Sequence, residues 1–306
     1  MSLWTRGSDT SSGSRAGFRM PEPWRAAWKT LKRNKLSLTG GGIAALFVLV
    51  SALAAMLAPY DPNAIDLART LAPPGPAHWL GTDNQGRDLL SRVIFGARVS
   101  LYVGVGSITV GAGLGVPAGL LAGYYRGLNA PIMRLMDVLL AFPGIIVALT
   151  IVAILGPGLN NVVLAVGLSQ VPQFARVVYG LVLIVREATY VESARSIGAF
   201  DAAIIGRHIS PNVLSPIIVQ ASLLLPDAIL TGASLSFLGA GVQPPTAEWG
   251  AMLSDSRQWM QRAPHLMIVP GIALMLVVLG FNVLGDGVRD ALDPRVRSMQ
   301  QGTIRT

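Results

Sequence analysis

The strongest constraint on this chain is a set of long stretches without an ionisable side chain. A bilayer core of about 30 Å takes about 20 helical residues to cross, and inside it every backbone N–H and C=O needs a partner. Leu36 to Tyr60, Val99 to Tyr125, Val138 to Leu159 and Leu266 to Gly285 contain no Lys, Arg, Asp, Glu or His. Two further runs are each interrupted once, Asn160 to Val185 by Arg176 and Ile209 to Gln243 by Asp227. Glycines such as Gly104, Gly111, Gly115 and Gly119 would weaken a helix in water, whereas in lipid they let helices approach closely. The runs predict an all-α membrane protein with six transmembrane helices, at about residues 37–58, 99–124, 138–156, 161–185, 213–238 and 266–285. Composition agrees: 13% of the 306 residues are charged, about half the share usual in soluble domains.

The formal charge of +8 would suggest a nucleic-acid partner in a soluble protein. Here the basic residues sit mostly at one end and between apolar blocks, so the expected partner is membrane lipid and not nucleic acid. Eight of them precede the first run, which belongs on the cytoplasmic side. With six crossings both termini are cytoplasmic, and seventeen Lys and Arg then fall inside against six outside, with Arg176 within a span. Residues 1–20 are rich in Ser, Gly and Arg and read as a disordered arm, with no cleavable signal peptide. In residues 21–35, Trp24 and Trp28 share a face among basic residues, which fits either an interfacial lead-in helix or simple topological anchoring. A membrane domain would occupy 36–298, with a short tail at 299–306.

Three connections are long enough to invite a functional reading. Two are expected outside. Pro59 to Arg98 is dense in Pro and Gly and includes Asp83, Arg87 and Asp88; Gly239 to Pro264 carries Trp249 and Trp259. The tryptophans fit belt anchors, or both loops fit a docking face for an extracytoplasmic partner. The third connection, 187–212, is expected inside. Apolar or small residues at Tyr190, Ala194 and Ile197, then Ala202, Ile205 and Ile209, recur at helical spacing on either side of Gly198. They predict two short helices, with Gly198 supplying a positive φ, Asp201 capping the second helix, and Pro211 starting or kinking the next span. Such an amphipathic hairpin rests either on its own bundle or on a separate protein.

A charge at a helix centre costs at least about 2.5 to 3.5 kcal/mol on insertion scales, so Arg176 and Asp227 should face the bundle interior or water. Asp227 follows Pro226, which kinks its helix; it either lines a pathway or partners a polar group on a neighbouring helix. Arg176 is expected to snorkel towards lipid phosphate. Asp137, placed near the start of the third span, is expected to favour that helix N-terminus. The chain has no cysteine, and its three histidines, His78, His208 and His265, lie far apart, so no metal site is expected.

At the hairpin, Glu192, Ser193, Ala194, Gly198 and Pro211 follow the spacing of a signature in inner-membrane permease subunits of ATP-binding cassette importers, which this sequence resembles. Ser193 replaces the usual Ala, and Ser210 stands where the family usually has Leu. Further matches include Ala58 to Asp61, Leu80 to Asp83, Gly86 to Asp88, Asp137 with Phe142 to Gly144, Ser234 to Gly239, Trp249 to Met252 and Asn282 to Gly287. Their order and spacing resemble the "C" subunits of dipeptide, oligopeptide and nickel permeases across roughly Trp24 to Arg297.

The resemblance implies a type I importer permease fold with no enzymatic chemistry and no bound cofactor of its own. It also implies a second homologous permease, an extracytoplasmic binding protein and two cytoplasmic ATPases that carry ATP and Mg. The hairpin, including His208, would then couple to the ATPases. Glu192 would meet a basic ATPase residue or serve only as a helix-start carboxylate. A peptide such as glutathione is the expected cargo, with nickel chelates or an ion-coupled carrier as alternatives. The three lysines, Lys29, Lys32 and Lys35, follow no glycine, so no phosphate-cradling Gly-Lys-Ser/Thr loop is present.

Overall fold

The computed structural model describes residues 35–292; the arm, nearly all of the expected lead-in with Trp24 and Trp28, and the tail lie outside them. Eleven α-helices are described: α1 Lys35–Ala52, α2 Ala54–Leu57, α3 Leu89–Tyr124, α4 Arg126–Leu140, α5 Gly144–Leu155, α6 Leu159–Val185, α7 Thr189–Ser196, α8 Asp201–Ile204, α9 Ser210–Phe237, α10 Trp249–Ser256 and α11 His265–Leu292. Five segments are long and apolar enough to cross a membrane, and the pair α4–α5 makes a sixth if counted together.

Helix α3 is central and lies along α6 through a seam of small residues. A Cβ on Gly115 would come within 2.5 Å of the Val171 carbonyl, and one on Gly119 within 2.5 Å of the Ala175 carbonyl. Four-residue spacing of glycine thus lets the two backbones touch, which is how helices associate where lipid offers no hydrophobic drive. Helix α11 packs on α1 by the same device, since a Cβ on Gly40 would meet Val283 and Leu284, and one on Gly280 would meet Ile43. Many large apolar side chains on α1, α5 and α11, among them Leu46, Ile154 and Met275, remain exposed on the isolated chain.

Several expected boundaries move. The helix that holds the second expected span begins ten residues before Val99, at Leu89, where Asp88 caps it by accepting from Ser91 N–H at 2.8 Å. The third expected span, 138–156, is not one helix: α4 and α5 meet at a 94° bend across residues 141–143. Pro143 has no N–H to donate to the preceding turn, which ends α4 there. Asp137 therefore lies in the last turn of α4, not at a helix start, and its partner is Arg176 at 2.5 Å. Arg176, expected to snorkel towards lipid phosphate, is thus held in an ion pair on this chain.

Candidate functional site

The 187–212 segment forms a bent hairpin at the Tyr124/Val185 end of the bundle. Val191 and Ala194 of α7 are buried with Ile204, Ile209 and Val213 against Val178 and Val182 of α6. The buried stripe is thus shifted from the one read in the sequence: Tyr190 is half-exposed, and the bend presents Ile197 at 85% and Phe200 at 73% exposure. Glu192 and Ser193 are exposed too, the Ser193 hydroxyl donating back to the Thr189 carbonyl at 2.8 Å. Gly198 has φ +82, and a Cβ there would meet nothing within 4 Å, so backbone conformation and not space calls for glycine.

Asp201 does not cap α8; Phe200 holds the cap position in extended conformation, with no side-chain hydrogen bond. The Asp201 carboxylate instead accepts from the Tyr124 hydroxyl at 2.6 Å. The Arg195 guanidinium stands 5.9 Å over the Tyr124 ring, and Arg186 donates to the Gly123 carbonyl at 2.8 Å. These contacts fasten the hairpin to the end of α3. Its second arm does not stop at Pro211. A π-turn at Ile205–Ile209, which holds His208 with its ring 6.3 Å from that of Tyr190, widens the helix just before the proline. Asp201–Phe237 therefore runs as one 37-residue rod.

At the opposite end, the two expected outer loops pack on each other. Asp83, Arg87 and Asp88 are buried, so their side chains build the loop and do not form its outer surface. Arg87 Nε lies 2.6 Å from the Asp83 carboxylate and His78 Nδ1 2.8 Å from that of Asp88. Arg92, to which the sequence reading gives no role, donates to the Pro62 carbonyl at 2.9 Å and approaches that of Pro245 at 3.4 Å, tying both loops together. Trp249 is neither a belt anchor nor a docking residue: it is 2% exposed, and its ring is 5.7 Å from that of Phe47. Glu248, also unforeseen, is buried and accepts from Gly250 and Ala251 N–H at 2.9 and 2.8 Å; burial pushes its carboxyl above the usual range despite those donors. Burial likewise raises that of Asp255, opposed by Arg87 and Arg92.

Within the bundle, Pro226 is buried and Asp227 is exposed on this chain, beside the buried Gln170 of α6. That contact supplies the polar neighbour that a structural reading of Asp227 requires, while its exposure keeps the pathway reading open. Among the described residues no group of three or more His, Asp or Glu is arranged to hold a metal ion.

Residues 115–298 match the family described as binding-protein-dependent transport system inner membrane component, and residues 22–74 match the N-terminal transmembrane domain of oligopeptide transport permease C. The chain is 49% identical to a glutathione transport system permease protein, GsiD, of Pectobacterium atrosepticum, over 90% of this chain and 92% of the relative. It is 47% identical to a dipeptide transport system permease protein, DppC, of Alkalihalophilus pseudofirmus, over 90% and 91%. Among solved structures, an inward-facing conformation of the MetNI methionine ABC transporter aligns with TM-score 0.54 at 20% identity, covering 66% of this chain and 96% of that one, a likeness of fold.

Proposed function

The chain belongs to the binding-protein-dependent transport system inner membrane components, and from that premise we propose that it is one permease subunit of an ATP-driven importer of short peptides, glutathione or dipeptides among them. A second, homologous permease completes the pathway, and an extracytoplasmic binding protein delivers the solute. Two cytoplasmic ATPases hold ATP and Mg, since this sequence has no loop to cradle a triphosphate. Both termini are cytoplasmic, in accord with the distribution of Lys and Arg.

The hairpin carries this reading. Its inner face is buried in its own bundle while Ile197, Phe200 and Glu192 stand outward, the pattern of a helix that lies in another protein's groove. Because the second arm continues into α9, a displacement imposed on the tip by a closing ATPase pair passes to a membrane-spanning rod as a rigid-body motion. Glu192, Ser193, Ala194, Gly198, Asp201, His208 and Pro211 would all serve this one purpose, in surface, bend, clamp and rod. At the opposite end the loops scaffolded by Asp83, Arg87, Asp88 and Trp249 would receive the binding protein.

Co-purification with the ATPases tests the proposal. Peptide-loaded binding protein should stimulate ATP hydrolysis by the complex in liposomes, and exchange of 189–204 for a Gly/Ser linker should release the ATPases and abolish uptake. A linker variant that keeps both overturns it. Asp227→Asn at matched expression tests the pathway role: unchanged uptake leaves Asp227 as a partner of Gln170 only.

A further inference from the structure

Non-helical backbone at membrane depth marks a place that lipid cannot cover. Helix α4 runs antiparallel to α6: Asn129 donates to the Tyr179 hydroxyl at 2.9 Å, and Met136 packs with Val171 and Ala175. Beyond the bend, Gly144 faces Ser169, and Asn161 donates to the Leu155 carbonyl at 3.0 Å. Ser169 is ten residues from one end of α6 and sixteen from the other, which puts the α4–α5 break about 15 Å and about 24 Å from the two ends at 1.5 Å per residue. Ala141, Phe142, Pro143 and Gly144 at this break are all exposed on the chain. Backbone of that kind, near the middle of a spanning bundle, must be covered by protein or border water.

A second, independent feature lies one turn away, since the Asp137 carbonyl accepts from Ala141 N–H at 3.0 Å. The Asp137–Arg176 pair, at 2.5 Å, leaves its side chains 59% and 57% exposed. Two charges left open to hydrocarbon are disfavoured, so this surface also calls for water or a polar occupant.

We infer that the α4–α5 break borders the translocation route and that Asp137 and Arg176 form a subsite for the two charged ends of a zwitterionic peptide. This rests on the reading of the chain as a peptide-importer permease. During passage the solute's ammonium pairs with Asp137 and its carboxylate with the planar fork of Arg176, each replacing the partner that the other supplied. The exchange keeps the site electrically neutral throughout, so neither charge is left unpaired as the solute arrives or leaves.

The native absence of cysteine makes the test direct. In the complete complex in liposomes, Phe142→Cys is exposed to a membrane-impermeant methanethiosulfonate reagent during ATP turnover. It is expected to react, and at least threefold more slowly when alanyl-alanine is being transported. Asp137→Asn and Arg176→Gln should each lower alanyl-alanine taken up per ATP at least tenfold, with hydrolysis stimulated by loaded binding protein staying within twofold of the unsubstituted complex. A Phe142→Cys side chain that stays unlabelled in an actively transporting complex means that the second permease covers the break, and overturns the inference alone. Neutral variants that lose uptake and hydrolysis in parallel show a structural pair and overturn it too. Failure of loaded binding protein to stimulate even the unsubstituted complex overturns the importer reading, and this inference with it.

Discussion

The indole N–H of Trp249 donates to the Val93 carbonyl at 3.0 Å, and its ring fills the space where Gly96 lacks a side chain. A Cβ at Gly96 would lie 2.6 Å from the indole Cδ1 and Nε1. The Gly239–Pro264 segment is therefore keyed into α3 by one aromatic ring. Gly96→Val should push the ring out at a cost of about 1–3 kcal/mol, the range for overfilling a packed site. Trp249→Phe keeps most of the packing and loses the hydrogen bond, at about 1 kcal/mol. Thermal unfolding of the purified complex measures both, and a Gly96→Val complex as stable as its parent would refute the keyed arrangement.

The contact of α3 with α6 is sensitive in the same way, but through backbone. A Cβ at Gly119 meets the Ala175 carbonyl at 2.5 Å and Val178 Cβ at 2.8 Å, whereas one at Gly113 on the same helix meets nothing within 4 Å. Gly119→Val should thus destabilise the bundle by about 1–3 kcal/mol through forced separation of the two helices. Gly113→Ala should be neutral or stabilise by about 0.4–1 kcal/mol, by restricting the unfolded chain. The yield and melting temperature of folded protein in detergent separate them.

Which of these features the sequence reveals follows from the kind of force involved. The apolar runs locate the spans because the bilayer requires them whatever the packing, and the Gly198 bend is legible because a positive φ favours one residue type. Absence of charge says nothing about continuity, so the run from Val138 to Leu159 conceals the break at Phe142–Pro143. The same criterion cuts α3 short at Arg98, although Arg92 is satisfied inside the fold by carbonyls of Pro62 and Pro245, the second of them 153 residues away. Long-range partnerships such as Trp249 with Val93, or Asp201 with Tyr124, leave no periodic trace. The π-turn before Pro211 is equally hidden, because it depends on how the chain accommodates a proline within a continuous rod.

Glu248 should give the Gly239–Pro264 segment a pH dependence. Burial raises its carboxyl above the ordinary value of 4.5, so the folded protein binds this proton more tightly than the unfolded chain. The resulting stability is full below the ordinary value and is lost as pH rises through the raised one. The melting temperature of the complex should therefore fall as pH is raised towards neutrality. Glu248→Gln, which keeps an acceptor for one of the Gly250 and Ala251 donors, should flatten that slope relative to the parent, leaving the share from Asp255. Identical slopes in the two proteins would remove Glu248 as the cause.

The hairpin bend offers the most selective probe of coupling, because Gly198 has open space around it and only its φ of +82 excludes other residues. The left-handed conformation costs an L-residue roughly 1–2 kcal/mol, and Asn bears it better than Ala. Gly198→Ala should weaken ATPase retention by about 5- to 30-fold, the factor that corresponds to that cost, if the bent form is the one that docks. Gly198→Asn should lose much less. Both variants leave the buried face of Val191, Ala194, Ile204 and Ile209 untouched, so the thermal stability of the permease should fall by no more than that backbone cost. Affinity of purified permease for its ATPases, measured by titration in nanodiscs, reads the difference. Equal affinity for Ala, Asn and Gly at this position would show that docking does not select the bend.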